Sequence, residues 1–202
     1  MSGRSVRATP AERTRRLPGD EIIPAPIGMT THAVTIARPA RDVWPWLVQM
    51  GAGRGGWYSY DFIDNRGHRS ADRVMPELQR IEIGMVMPAL PGVTEAFLVL
   101  AFEVERSLIL GLAAPHAPQV ATWAFVLEPG EADTTRLLAR SRVGRGYSFF
   151  GMPWPLGKPI TVAVHHIMQR KQLLEIARRV ETVLPSALAT RAASRASTKG
   201  KA

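Results

Sequence analysis

Cysteine is absent from this chain of 202 residues. That excludes a disulfide framework, a thiolate nucleophile, and zinc or iron–sulfur sites held by cysteine. It suits a reducing compartment, and a cytoplasmic location is expected. Acidic residues are few beside basic ones, 17 against 26, so the formal charge is +9. Long hydrophobic runs are missing as well. The longest apolar stretch, "EAFLVLAFEVERSLILGLAAP", is cut by Glu103, Glu105 and Arg106, and no transmembrane segment is expected. The first 25 residues carry no apolar core of the kind a secretion signal needs. There is no G-x-S-x-G, no Walker A motif and no H-E-x-x-H. What is present is a hydrophobic fraction of 46%, enough for one globular domain with a sizeable core.

The positive charge is unevenly spread. Residues 1–20 carry five arginines against two acids, or +3, and residues 185–202 carry four basic residues and no acid, or +4. Residues 21–184 therefore hold only +2 of the +9. Both ends are poor in large apolar side chains. The reading is a disordered basic tail over 1–20, a folded domain over 21–184 and a second disordered basic tail over 185–202. No specific nucleic-acid partner follows. Weak contact of the tails with a membrane surface is the partner such basic runs allow.

Hydrophobic periodicity orders the elements. "THAVTIA" (31–37) alternates as a strand does. Pro39 can open a helix, and Val43, Leu47 and Met50 form one apolar stripe on it, with Pro45 bending the run. "WYSYDFIDN" reads as a short helix or turn. Strands follow near 79–87, 95–105, 107–113, 120–129 and 134–143, with "PGEAD" as a hairpin turn. One long helical pattern covers 159–184. This is an α+β layout rather than alternating βαβ units.

Gly51, Gly53 and Gly56 in "QMGAGRGGWYSYDFIDN" spell G-x-G-x-x-G. A dinucleotide loop needs a strand before the first glycine and a helix starting at the last. Here a helical pattern precedes Gly51, and Asp72 does not end a strand. Glycines that let the backbone turn sharply are the plainer reading. Arg54 among them is read as solvated or paired with Asp61.

"VWPWLVQMGAGRGGWYSYDFIDN", "ADRVMPELQRIEIGMVMP", "TWAFVLEP…TTRL" and "IMQRKQLLEIARRVE" resemble the SRPBCC, or START-like, superfamily, in particular its bacterial polyketide-cyclase/dehydrase-like members. The resemblance covers about residues 20–182. It implies a helix-grip fold: a curved antiparallel sheet wrapped on a long C-terminal helix, with an apolar cavity between. It also implies a range of roles, from lipid and sterol carriers and hormone-binding proteins to aromatase/cyclases, and lipids, isoprenoids and polyketide-like molecules are the expected ligand classes. Iron-dependent ring hydroxylation, found in some relatives, is not supported here.

Within that frame the candidate ligand-binding residues are Trp57, Tyr58, Tyr60 and Asp61 after the glycine turn, Trp123, Phe125 and Ala139 on strands, and His166 and Gln169 on the long helix. Val162, Leu173, Ile176, Ala177, Val180 and Leu184 share a stripe with His166 and Gln169, while Ile160, Val164, Ile167 and Met168 mark a second apolar face. The start of that helix is therefore expected to be enclosed. Trp123 and Phe125 lie on one face by period two, and Leu137, Ala139 and Ser141 are the inward set on the next strand. Arg136, Arg140 and Arg142 are the outward set, facing solvent. Reversed, the register would bury Arg140 in need of a carboxylate. His165 and His166 have no histidine or carboxylate at i±3 or i±4, so no metal is expected, nor any cofactor. The functional expectation is binding of a small hydrophobic or amphipathic molecule. A cyclase/dehydratase in the same cavity, and an interaction module with a filled cavity, are the alternatives. No nucleophile–base pair is legible, which ranks the enzyme below the binder.

Overall fold

The computed structural model describes residues 4–90, 96–113, 120–149 and 152–182. Its centre is a six-stranded antiparallel sheet in the order β1-β6-β5-β4-β3-β2. The strands are β1 (Gly28–Ile36), β2 (Val86–Pro88), β3 (Ala96–Glu103), β4 (Ser107–Ala113), β5 (Ala121–Pro129) and β6 (Thr135–Val143). A short pair, β7 (Ser148–Phe149) and β8 (Met152–Pro153), leads into the long helix α4 (Trp154–Thr182). α4 packs across one face of the sheet beside α2 (Ala40–Val48), and the short α3 (Asp61–Asp64) lies between α2 and β2 in the chain. This is the helix-grip arrangement, and the order of elements matches the one read from hydrophobic period. The strand expected near 79–87 is reduced to Val86–Pro88.

Period two sorts the sheet. On β6, Leu137 and Ala139 face the helix and are buried, in register with Val34 and His32 of β1 and with Leu127 and Phe125 of β5. α2 adds Val43, Trp46 and Leu47, and the second half of α4 adds Leu173, Ile176, Ala177 and Val180. The first half of α4 departs from expectation. Ile160 is 49% exposed, Ile167 53%, and Val162 and Val164 are exposed as well. The apolar pattern there is real, but the helix outruns the packed core, so its start is not enclosed.

The N-terminal segment is the larger correction. Residues 4–20 are not an unstructured tail. Residues 4–7 run along the β1 edge, where Arg4 pairs with Glu181 of α4, and residues 8–20 lie on the sheet face opposite α4. Ala8 and Leu17 pack there with Ala33, Val126 and Leu138 in a second apolar cluster. Arg7 bridges His32 at the β1 edge, and the N–H of Ala33 donates to the carbonyl of Val6. Helix α1 (Pro10–Thr14) has a complete capping box, Thr9 with Glu12.

What draws the segment in is the arginine set of β6. Arg140 does sit on the outward face, but it is buried. All five of its N–H donors are used: on Thr31 Oγ1, on the carbonyls of Glu12, Arg13 and Arg15, and on Asp20 Oδ2 at 2.7 Å. Arg136 pairs with Glu12 and Arg142 with Asp20. A segment with few apolar residues is thus held both by the small apolar cluster and by cations from a distant strand. The tail expected over 185–202 lies outside the described residues.

Candidate functional site

Between the first half of α4 and the sheet lies a chamber of about 230 Å³. Trp123 of β5 forms much of its inner wall. Trp57 stacks behind that ring with centroids 5.4 Å apart, and Phe97 of β3 meets both. The indole N–H of Trp123 donates to Gln169 Oε1 at 2.8 Å, and Gln169 Nε2 donates to Gln172 Oε1 at 2.7 Å. This amide chain fixes the ring plane. Trp57 is fixed in turn by bonds from Nε1 to the carbonyls of Pro88 and Ala89. Leu112, Val143, Val162 and Met168 complete an apolar lining.

The polar groups at the chamber are few. Ser141 Oγ and His165 Nε2 are 3.1 Å apart, and both line it. Thr30, opposite Ser141 in the β1–β6 register, also lines it, and its buried hydroxyl has no partner among the described residues. Burial, then the nearby imidazoles of His32 and His166, push His165 down from 6.5 to about 4. Burial and then His166 push His32 down to about 4 as well. Both rings are therefore neutral at neutral pH. A neutral imidazole of such low basicity accepts or donates a hydrogen bond but is a feeble general base. The Ser141–His165 contact therefore suits hydrogen bonding better than activation of a nucleophile.

The anticipated residues divide sharply. Trp123 lines the chamber, Trp57 backs it and Gln169 positions Trp123. Phe125 and Ala139 are packed core beneath it, buried to 0% and 1% exposure. Tyr58 lies away from it, fully buried with its hydroxyl accepting from Gln49 Nε2 at 2.8 Å and its ring under Arg179. Tyr60 is exposed, with Lys171 over its ring. Asp61 accepts from the N–H and hydroxyl of Ser70 and pins the loop; it does not pair with Arg54. Arg54 instead donates to the carbonyls of Val48 and Met50, capping the end of α2.

His166 points out of the chamber and bonds His32, Nδ1 to Nε2 at 2.7 Å. The histidine partner that helix spacing could not supply comes from β1. It is His165, one residue back, that faces inward. The parity of β6 already grouped Ser141 with the inward set. The helix stripe through His166 and Gln169 was one residue out of phase for its first half, because α4 turns a different edge to the chamber there than to the core. Among the described residues, no group of three or more histidines and carboxylates is gathered as a metal site would require.

The glycine turn is closed to nucleotides by its own bonding. Gly51 and Gly56 pair across a tight hairpin, each donating to the other's carbonyl. The N–H groups of Ala52, Gly53, Arg54 and Gly55 go to Pro88, Asn65 Oδ1, Gly51 and Gln49. No backbone donor from 51 to 56 is left to cradle a phosphate.

The molecule is thus a helix-grip protein with a small apolar chamber under its long helix. No family model matches the chain, and no curated protein is similar enough to match it. Similar solved structures include protein MLL2253 from Mesorhizobium loti, at 14% identity over 78% of this chain and 100% of that one, TM-score 0.49. The Zhui aromatase/cyclase from Streptomyces sp. R1128 is 17% identical over 79% of this chain and 97% of that one, TM-score 0.47. The Polyketide_cyc-like protein Cgl2372 from Corynebacterium glutamicum is 18% identical over 76% and 91%, TM-score 0.40. At these identities and scores the likenesses say nothing about a ligand or a reaction. Among the described residues, no helix is long and apolar enough to cross a membrane.

Proposed function

We propose that this protein binds a small, mainly apolar molecule in the chamber between α4 and the sheet. The observation that carries this reading is the chamber itself: about 230 Å³, walled mainly by aromatic and aliphatic side chains, with Thr30, Ser141 and His165 among the few polar groups that line it. Volume sets the guest's size. A cavity of about 150 Å³ takes up benzene, so this one suits a single substituted ring or a short chain. A multi-ring polyketide or a full lipid chain exceeds it. The volume also argues against a cavity filled by side chains. The Ser141–His165 contact is the one feature that favours a cyclase/dehydratase, and the low basicity of His165 weighs against it. A reducing, cytoplasmic setting belongs to the same proposal, since the chain has no cysteine to oxidise.

Ala121 of β5 lines the chamber and makes no side-chain hydrogen bond, so Ala121→Phe places a ring in the space without breaking a polar contact. An apolar fluorescent probe that binds the natural protein should fail to bind this variant, and the thermal midpoint should move little, because a roomy site absorbs volume that a packed core does not. Probe binding that survives Ala121→Phe would sink the reading. Ala139→Phe, by contrast, should destabilise the fold, since that residue is in the core.

A further inference from the structure

The chamber is not the only hollow at the histidines. On their other side an open groove of about 820 Å³ runs between residues 6–13, β1 and the start of α4. Met29, Thr30 and Val162 line both, so the two hollows meet at these side chains. Their chemistries differ. The chamber is apolar, whereas the groove carries Arg7, Arg13 and the His32–His166 pair. Arg136, Arg140 and Arg142 of the neighbouring strand are all paired with carboxylates. Arg7 and Arg13 are not. Their backbone carbonyls accept bonds, but among the described residues their guanidinium groups have neither a hydrogen bond nor an ion pair. Where the hollows meet sits Thr30, whose hydroxyl has no partner among the described residues.

We propose that the guest is an amphipathic anion: a small, soluble organic acid whose apolar body occupies the chamber and whose carboxylate or phosphate passes Thr30 to meet Arg7 and Arg13 in the groove. This rests on the reading of the chamber as a binding site. Two unpaired guanidinium groups beside an apolar hollow supply what such a head requires, donors in a fork geometry that suits carboxylate or phosphate. The chamber's volume favours a short acid free in solution over one drawn from a bilayer.

The test uses the full chain, with octanoate and 1-octanol as probes followed by calorimetry and by intrinsic tryptophan fluorescence, to which Trp123 at the chamber contributes. Octanoate should bind at least about tenfold more tightly than the alcohol at low salt, a preference of about 1.4 kcal/mol, and added salt should shrink it. The double variant Arg7→Gln with Arg13→Gln should lose the preference and keep its affinity for octanol. Circular dichroism should be unchanged, because neither side chain holds the fold. Equal binding of acid and alcohol, or a preference that survives in the double variant, overturns the anion site and leaves the chamber reading standing. Binding of neither probe overturns both. Co-sedimentation with phosphatidylcholine vesicles containing oleic acid, without a response to free octanoate, moves the acid to a membrane and overturns the soluble guest.

Discussion

At the scale of single residues, the glycine turn illustrates how one motif serves different ends through the positions it occupies. Gly53 and Gly56 both have φ in the left-handed region, +72° and +81°, where a side chain costs about 1–2 kcal/mol. Their surroundings differ. A Cβ on Gly53 meets nothing within 4 Å, while one on Gly56 would lie 2.2 Å from Ser70 Oγ and 2.9 Å from Ser70 Cα. Ser70 cannot yield easily, since its hydroxyl accepts from the N–H of Tyr58 and bonds Asp61. Gly53→Ala should therefore cost about 1 kcal/mol and Gly56→Ala at least about twice that, from strain plus displacement of backbone. Urea denaturation of the two variants measures the difference. Equal losses would mean that conformation alone, and not contact with Ser70, requires glycine at 56.

At the scale of elements, the first half of α4 meets β1 through imidazoles, and this makes the contact sensitive to pH. His32 and His165 titrate near 4 in the folded chain against 6.5 ordinarily. A lowered imidazole pKa means that the unfolded chain binds the proton more tightly. The contribution to stability is complete above about pH 6.5 and is lost as pH falls toward 4. Asp64 opposes this. Burial, then neighbouring Asp61, raise it from 3.8 to about 6, so its contribution is present at low pH and is lost as pH rises through 6. Two imidazoles outweigh one carboxyl, and because His32 and His165 feel each other, the loss between pH 6.5 and 4 should be about 3 kcal/mol at most rather than twice that. Thermal melts across this range should show the midpoint falling with acidification. The fall should be steeper in Asp64→Asn and shallower in His32→Phe. Identical slopes in all three proteins would show that these groups do not govern the acid response.

At the scale of the whole molecule, the sheet is covered on both faces, by α4 and α2 on one and by residues 8–20 on the other. Removing residues 1–20 should uncover Ala33, Val126 and Leu138 and leave Arg140 without Asp20 and three carbonyls. Breaking a buried ion pair from one side costs about 3–5 kcal/mol. The deletion should lower the thermal midpoint by more than about 10 °C, given a few degrees per kcal/mol in a domain of this size. Asp20→Ala should lower it by a smaller amount through the same arginine. A deleted chain that melts like the intact one would show that the N-terminal segment merely rests on the sheet.

The sequence by itself determined the central strands with their faces and the buried half of the long helix. Period two marked β4, β5 and β6 nearly to the residue and put Trp123 and Ser141 on the inward side, because alternation is a local property of the extended chain. The apolar stripe through Leu173, Ile176 and Val180 marked the buried half of α4 for the same reason at helical period. Only the tertiary structure decided which neighbours those faces would meet. Nothing local tells His32 that His166 lies 134 residues on, or Arg140 that Asp20 will reach it from 120 residues back. The chamber was decided at that level too. It exists where α4 runs past the core it helps to form, and the length by which a helix outruns its partners belongs to the packing, not to any stretch of the chain.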